Sequence, residues 1–526
     1  MEQKHKILDS SSCEGEGRCR SRKEDRFSGL PDGVAYRILS FLTIKDVTCF
    51  SIVSKRCREL YLSTPSLDFD FKTTRTPSGE YKYFREATCE VRLNLLNSLD
   101  RFLLQRGDNK IEYFRLVWES HSVVEEDSDD QRDEEPCFCV NERFRIMTWI
   151  HNALRCNVEV LDVKSDVDYF EDEPYALFPS CVFLCAPLTS LAVEMNRTMV
   201  KTPSAAFSSN LVDLKLINVE IEDEGFFKWI SCSCKFIKEI HLCHIRITGN
   251  IIIKSSSLEK FEYLEGTFTR SHIDISAEKL EVINIDWTFQ SPGDNSLNIF
   301  APKLKYFEWR GYLMNQANLG QLECLEKAVI CLEPKADDSD KLIKHFYSLR
   351  RVELLVLNAA TFKALFREGY THAQFDRLFY LQLNLRSFSD DIFPAVVSLL
   401  RGLHNLCTLY ITCFAVPSSM DPQPNVSGFD KEYWKLQNLD FIDQIKEVTI
   451  VLDGSSNGIE FARYILENAK NLEQIYLQHL LDLPDDAIQK LNESKMSRAT
   501  VNFEEDSEED YEEDSEEDFE EDIEED

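Results

Sequence analysis

Nowhere in the 526 residues does an apolar run approach the length of about eighteen that a membrane-spanning helix needs. Residues 1–24 hold Lys4, Lys6, Arg18, Arg20, Arg22 and Lys23 around no apolar core, so neither a secretory leader nor a membrane partner is expected. The catalytic frames that spacing alone can reveal are missing as well: there is no G-x-G-x-x-G, no phosphate-binding G-x-x-x-x-G-K-[ST], no H-E-x-x-H and no G-x-S-x-G. An enzyme is therefore not expected, nor a cofactor. Bases are scarce, 59 against 93 acids, for a net charge of −34. Residues 504–526 contain eighteen acids and no base, and residues 125–135 add eight acids and one Arg. Setting aside that −18 and that −7 leaves −9 for everything else, a mildly acidic body without the broad basic surface of a nucleic-acid binder. With no leader, the seventeen cysteines suit a reducing compartment, nucleus or cytoplasm, as small core residues. Cys232, Cys234, His241, Cys243 and His244 are close in sequence. On alternating strand positions, however, they point to opposite faces, and Cys137-x-Cys139 has no nearby His, so no metal site is expected.

What is present starts at Asp25–Asp70. Pro31 suits a first helical position, and Asp32 complements the helix dipole. Val34, Ile38, Leu39 and Leu42 then recur at helical spacing and give an apolar face. Thr43 can cap a second helix, with Asp46 standing where a capping box has Glu or Gln, and that helix would bury Val47, Phe50 and Ile52 or Val53. Ser54 can cap a third, running through Leu60 and Tyr61 and stopped before Pro65. Helices of roughly ten residues are marginal alone, so these stripes must be covered by the rest of the chain or by another protein.

Three blocks of this stretch resemble the F-box of plant F-box proteins at matching spacing: Asp25-Arg26-Phe27-Ser28 with Leu30-Pro31-Asp32, Ile38 to Leu42, and Ser54-Lys55-Arg56. Cys57 stands where that family has a large Trp, which removes aromatic area from the third helix. The resemblance implies docking on a Skp-type adaptor and through it a cullin, within a ubiquitin ligase. The adaptor-facing set would be Leu30, Pro31, Val34, Ile38, Leu39, Leu42, Val47, Val53 and Cys57. The chain lacks the Cys-centred signature of a ligase that carries ubiquitin itself. The plain alternative is a helical cap packed on the chain's own repeats.

Beyond this stretch the chain repeats L-x-x-L-x-L, the strand signature of leucine-rich repeats. Members run from Leu188-Leu191-Val193 through Leu211-Leu214-Leu216, Ile237-Ile240-Leu242, Leu258-Phe261-Tyr263, Leu280-Ile283-Ile285, Leu304-Phe307-Trp309, Leu325-Ala328-Ile330 and Leu349-Val352-Leu354. Leu378-Leu381-Leu383, Leu406-Leu409-Ile411, Ile445-Val448-Ile450 and Leu472-Ile475-Leu477 continue them, and Ile111-Phe114-Leu116 with Val158-Leu161-Val163 precede them. From Leu188 onward the intervals lie between 21 and 29 residues except one of 39, which marks an insertion. The usual Asn after the last aliphatic appears only as Asn196, so irregular coils are expected. Trp149-Ile150-His151 with Asn157-Val158-Glu159 resembles the start of the repeats in plant F-box/leucine-rich-repeat proteins, and Ile445 to Leu477 resembles their C-terminal FBD region. A helix over Ile459–Ala469, burying Phe461, Ile465 and Leu466, would be a capping unit.

The fold class is therefore α/β: a three-helix F-box over 25–70, a connecting segment over 71–110, and an irregular leucine-rich-repeat solenoid over 111–430 with an acidic loop at 119–136. FBD-like terminal repeats span 431–484, and a disordered arm (1–24) and tail (503–526) flank the whole. Strand residues between the aliphatics face outward on the concave side. The central rung reads Asp162, Ala192, Lys215, His241, Glu262, Asn284, Glu308, Val329, Glu353, Gln382, Tyr410, Thr449 and Tyr476. Within it Lys215, His241, Glu262, Asn284, Glu308, Glu353, Gln382 and Tyr410 are the candidate contacts to a protein target. In the tail, Ser507 and Ser515 precede acids and are candidates for an acid-directed kinase. The function expected is target recognition within a ubiquitin ligase. The competing reading is a non-degradative scaffold for a basic protein with a vestigial F-box, which Cys57 favours.

Overall fold

The computed structural model describes residue 27 and residues 29–505, apart from 72, 76–80, 84–86, 120–141, 167–174, 203–208, 269–271, 288–294, 336–337, 367–374, 414–428, 430, 438, 454, 480–484 and 495–499. The basic cluster Arg18–Lys23, the acidic run Glu125–Glu135, Cys137, Cys139, Ser507 and Ser515 lie outside the described residues.

Three helices open the chain: α1 (Asp32–Leu39), α2 (Ile44–Ser51) and α3 (Lys55–Ser63). Pro31, expected as the first helical residue, stands one place earlier as the N-cap, and Asp32 takes the first turn. The Thr43 hydroxyl accepts from the Asp46 amide at 3.3 Å and donates to the Asp46 carboxylate at 2.8 Å, a reciprocal cap closed on the side chain. Ser54 caps α3 through the Cys57 amide at 3.1 Å. Ala35, Leu39, Val47 and Leu60 form the inner packing of this unit, with Phe27 edge-on to Phe50 at 4.9 Å.

Ser66–Asp70, expected as the end of the helical unit, is instead the first strand of a parallel ladder, because Leu67 and Phe69 alternate with Asp68 and Asp70. Among the described residues the main sheet has nineteen strands, of which three (Ala176–Leu177, Arg246–Ile247 and Thr267–Phe268) are short side pairings. The other sixteen run in chain order from Ser66–Asp70 to Thr500–Glu505, each paired in parallel with the next, so that only the two end strands have a single neighbour. Fourteen of these carry the repeat signature. The two end strands, Ser66–Asp70 and Thr500–Glu505, do not, and sequence reasoning missed both. The helix Ser456–Asn468 starts three residues earlier than expected, capped by Ser455, and it is not terminal, since two more strands follow it.

One repeat was read three residues out of place. The ladder pairs Ala328 with Leu355 and Ile330 with Leu357, so Val352-Leu355-Leu357 is the unit there, and Leu349 and Val352 close the turn before it. The missing Asn column also has a structural answer. Arg197, Asn218, His244 and Glu265 bend the chain in successive coils with φ of 48°, 56°, 50° and 50°, and Gly311 does so at 88°. After the bend, Arg246–Ile247 pairs with Glu220–Ile221 and with Thr267–Phe268, so the backbone of the turn is satisfied by further ladder bonds. The left-handed conformation costs a non-Gly residue roughly 1–2 kcal/mol. Behind the ladder, Ile251–Ser255, His272–Ala277, Ser296–Phe300 and Gln316–Asn318 form a second parallel sheet, and helices fill that side elsewhere.

α4 (Cys89–Arg106) lies between the first and second ladder strands, and α5 (Glu142–Arg155) between the second and third. A fully buried ion pair joins them: Arg92 Nε and Nη2 donate to the two Glu142 oxygens at 2.8 and 2.7 Å. Trp118 Nε1 donates to Glu142 at 2.8 Å and Arg92 also reaches the Glu119 carbonyl at 2.6 Å. Removing one partner of such a pair leaves a buried charge, at a cost of about 3–5 kcal/mol. Arg92→Met should therefore lower the thermal midpoint by many degrees, whereas Arg92→Met with Glu142→Leu should recover much of the loss in the same melting experiment. A second test concerns His345, buried beside Trp309 at 6.2 Å between rings, whose burial pushes its pKa down to about 4, with Lys344 and Lys341 adding to the shift. In the unfolded chain the ring takes its proton near pH 6.5, so between about pH 6.5 and 4 the unfolded state holds more protons and stability falls as pH falls. His345→Phe should flatten that part of the melting-temperature profile and leave the profile above pH 7 unchanged in slope.

Candidate functional site

Two surfaces combine exposure with chemistry. On the first, α1 turns Ala35 and Leu39 inward and leaves Val34, Ile38 and, just past its end, Leu42 between 40 and 48% exposed. Phe41, Ile52 and Val53 are exposed by 74, 81 and 75%. Among the described residues six of seventeen exposed large apolar side chains thus fall within residues 34–53, too dense a group for chance scatter. An ion pair between Asp32 and Arg56 ties the start of α1 to the start of α3 and brings the turn holding Ile52 and Val53 beside it. Of the expected adaptor-facing set, Pro31, Val34, Ile38, Leu42 and Val53 are exposed and Leu30 is half-buried. Leu39, Val47 and Cys57 are buried inside the chain and belong to its own packing. Leu39 follows Ile38 by about 100° around the helix, which is enough to move it to the inner face. Phe41 and Ile52 are the exposed members that the expected set omits; Phe41 lies seven residues after Val34, in phase with the outer stripe.

The helical unit is fastened to the body along one side, through Ile44 of α2 and the last turn of α3. Arg106 Nη1 and Asn109 Nδ2 both donate to the Leu62 carbonyl at 3.2 Å, in the last turn of α3, and Tyr61 packs on Phe102 at 4.7 Å. Burial pulls the Arg106 pKa down to about 10, so it stays charged and complements the negative end of α3.

The second surface is the outward face of the ladder. Twelve of the thirteen expected rung residues line up across neighbouring strands, from Asp162 beside Ala192 to Thr449 beside Tyr476. Glu353 does not; Val356 takes its place, and Glu353 lies in the turn, its amide donating to the Glu326 carbonyl at 2.9 Å. Each strand has three outward positions, flanking and including the rung. In the nine strands from Ser66–Asp70 to Tyr306–Tyr312 these hold nine acids (Asp68, Asp70, Asp162, Glu194, Asp213, Glu239, Glu262, Asp286, Glu308) and five bases (Arg115, Lys164, Lys215, Lys260, Arg310). In the six from Lys327–Glu333 to Gln474–His479 the same positions hold only two charges, Lys327 and Glu447.

Within the charged half some groups are satisfied. Arg115 reaches Asp68 at 3.3 Å, Asp70 at 3.3 Å and Asp162 at 3.4 Å. His241 Nδ1 lies 2.7 Å from Glu262 and Lys260 3.4 Å from it; burial alone would raise the Glu262 pKa, but the hydrogen bond with His241 and the charge of Lys260 outweigh it and hold it low. Glu308 is buried, takes the Tyr306 hydroxyl at 2.5 Å and pairs with Arg310, whose burial is outweighed by that carboxylate so that its pKa rises. Others are less well matched. Asp213 and Glu239 stand opposite one another in adjacent strands, and burial raises both pKa values against the opposing pull of Lys238 on Asp213 and of Lys260, the next neighbour of Glu239. Asp286 is raised by burial too, and one of its oxygens is buried without a hydrogen bond. Cys234 is buried, Cys232 is exposed, and His244 sits at the bend 3.2 Å from Glu265, so this cluster is dispersed; among the described residues no group is arranged to hold a metal ion. No helix among them is long and apolar enough to cross a membrane.

Residues 27–60 match the F-box domain. Along most of its length the chain is similar to plant proteins that combine such a domain with repeats. A putative F-box/FBD/LRR-repeat protein of Arabidopsis thaliana is 25% identical over 486 residues, covering 87% of this chain and 92% of the relative. A second putative F-box/FBD/LRR-repeat protein of that plant is 22% identical over 479 residues (86% and 83%), and an F-box/FBD/LRR-repeat protein is 23% identical over 467 residues (86% of each). The chain thus carries an F-box and looks like a plant F-box/FBD/LRR-repeat protein across its body.

The position of Cys57 decides what its substitution does. The thiol is buried, with the Ser54 hydroxyl 3.1 Å from its sulfur. Cys57→Trp should overpack the helical unit and cost about 1–3 kcal/mol in a denaturant titration, without strengthening adaptor capture.

Proposed function

We propose that this chain is the target-recognition subunit of a Skp–cullin–F-box ubiquitin ligase, with the F-box docked on a Skp-type adaptor and the ladder face holding the target protein. The observation that carries the reading is the apolar group Val34, Ile38, Phe41, Leu42, Ile52 and Val53, exposed on the segment that matches the F-box. Soluble monomers seldom present so much apolar area in one place unless a partner covers it. Burying two or three such side chains contributes about 1.5–3 kcal/mol each before the cost of association, enough to decide whether a complex survives dilution. No catalytic step falls to this chain; the gain comes from holding the target near a separate conjugating enzyme. Cys57, the residue that favours a scaffold with a vestigial F-box, lies in the interior and takes nothing from the exposed group.

The test is capture of a purified Skp-type adaptor by the full chain, compared with Val34→Asp combined with Ile38→Asp. Both residues are on the outer stripe, so the fold should tolerate the change, and melting curves check that it does. Adaptor recovery should fall at least about tenfold. Equal recovery by the two proteins would remove the proposal.

A further inference from the structure

The ladder face changes character abruptly between one coil and the next. Up to Tyr306–Tyr312 its outward positions carry an excess of four negative charges, and from Lys327–Glu333 to Gln474–His479 they are nearly uncharged. The seam is marked by Lys327, whose ammonium lies 5.3 Å above the Tyr306 ring, and by Val329, which succeeds Glu308 on the rung. Past the seam the rung reads Val329, Val356, Gln382, Tyr410, Thr449 and Tyr476. Its amides are knitted together, Gln382 donating to Asn384 at 3.0 Å and Thr412 donating to the same oxygen at 2.9 Å. Val329 and Val356 are buried at the base of this half, and above them the half-buried tyrosines and preorganised amides make a surface that seats apolar and aromatic side chains at low entropic cost. Before the seam, Asp213 and Glu239 oppose each other directly, an arrangement that costs free energy in the isolated sheet, and Asp286 keeps a buried oxygen without a hydrogen bond. A cation delivered from outside would relieve the Asp213–Glu239 repulsion.

We propose that the face reads its target in two parts: the uncharged half seats an aliphatic or aromatic segment of the target protein, and the acidic half, on the side nearer the F-box, receives a flank bearing Lys or Arg. This rests on the target-binding role proposed above and specifies what that role selects. The carboxylates at Asp213, Glu239 and Asp286, all raised by burial, would return toward ordinary values once the flank is bound. The order of the two blocks is fixed by the ladder, with the basic flank closer to the helical unit than the apolar one.

The experiment is selection of a displayed random peptide library on the full chain alone, without adaptor, so its outcome is independent of F-box docking. The enriched peptides should carry an apolar or aromatic block and a separate Lys/Arg block. A fluorescent copy of one enriched peptide is then titrated against wild type, Asp213→Lys with Glu239→Lys, and Tyr410→Ala with Tyr476→Ala. The charge reversal should weaken binding at least about tenfold at 0.05 M salt and much less at about 0.5 M; the tyrosine pair should weaken it similarly at both. Asp213→Asn with Glu239→Gln, a gentler change that removes a repulsion, should weaken binding while raising thermal stability, which separates loss of contact from loss of fold. Enrichment of acidic peptides, enrichment without a shared composition, or an equal salt response for the two variant pairs would overturn the proposal.

Discussion

Parallel pairing of backbone to backbone is the constraint from which the rest follows. A strand inside the ladder meets its hydrogen-bonding needs only if its N–H and C=O groups meet those of the coils on either side, so its register is imposed by its neighbours. Coil length is free to vary, because lengthening a connection adds little to its closure entropy. The long connection between Thr408–Cys413 and Glu447–Leu452 is absorbed this way, and Tyr410 still meets Thr449. Outward positions therefore stack about 4.8 Å apart from one end to the other, and each side chain answers to two neighbours. That is why His241 meets Glu262, and why Asp213 cannot avoid Glu239. The face is an array in which a substitution on one coil is felt on the next.

Much of this was readable from the spacing of aliphatic residues, since inward positions have one requirement, apolar volume, and the period of two exposes it. The rung followed without further information because it lies between two readable positions. The reading failed where the requirement was shared. At Leu349-Val352-Leu354 two overlapping triplets both satisfied the pattern, and only pairing with Lys327–Glu333 selects the later one, which replaces Glu353 by Val356. At Thr500–Glu505 the acids that end the strand resemble the acidic run that follows, so composition hid it. In the helical unit, spacing marked the apolar residues but could not say which would be covered. Leu39 and Val47 turn inward and Ile52 and Val53 stay out because α2 stops at Ser51, and where a short helix frays is set by its neighbours more than by its own residues.

The helical unit explains its own exposure. Ala35, Leu39, Val47 and Leu60 are too few to stabilise three short helices, and a unit of this size normally needs support. The body supplies it from one side, through Tyr61 on Phe102, Ile44 and Leu62 against the main core, and Arg106 with Asn109 on the Leu62 carbonyl. With stability borrowed there, the opposite side need not contribute, and Val34, Ile38 and Leu42 can remain uncovered.

The same joint bears on the geometry of any complex. Only Thr64 and Pro65 separate the end of α3 from the first ladder strand, and Pro65 gives its carbonyl to both Glu112 and Tyr113, at 2.8 and 3.2 Å. A connection of two residues, bonded at its middle and clamped by a buried guanidinium, has no freedom to act as a hinge. The direction of the exposed stripe on α1 is thus set relative to the ladder by covalent and hydrogen-bonded contacts, before any partner arrives. If the F-box side grips a carrier and the ladder side grips cargo, the distance between them is a property of this chain. Arg106, still charged at neutral pH although burial pulls its pKa down to about 10, donates both to the Leu62 carbonyl of α3 and to the Lys110 carbonyl at 2.6 Å, and so ties the two parts together.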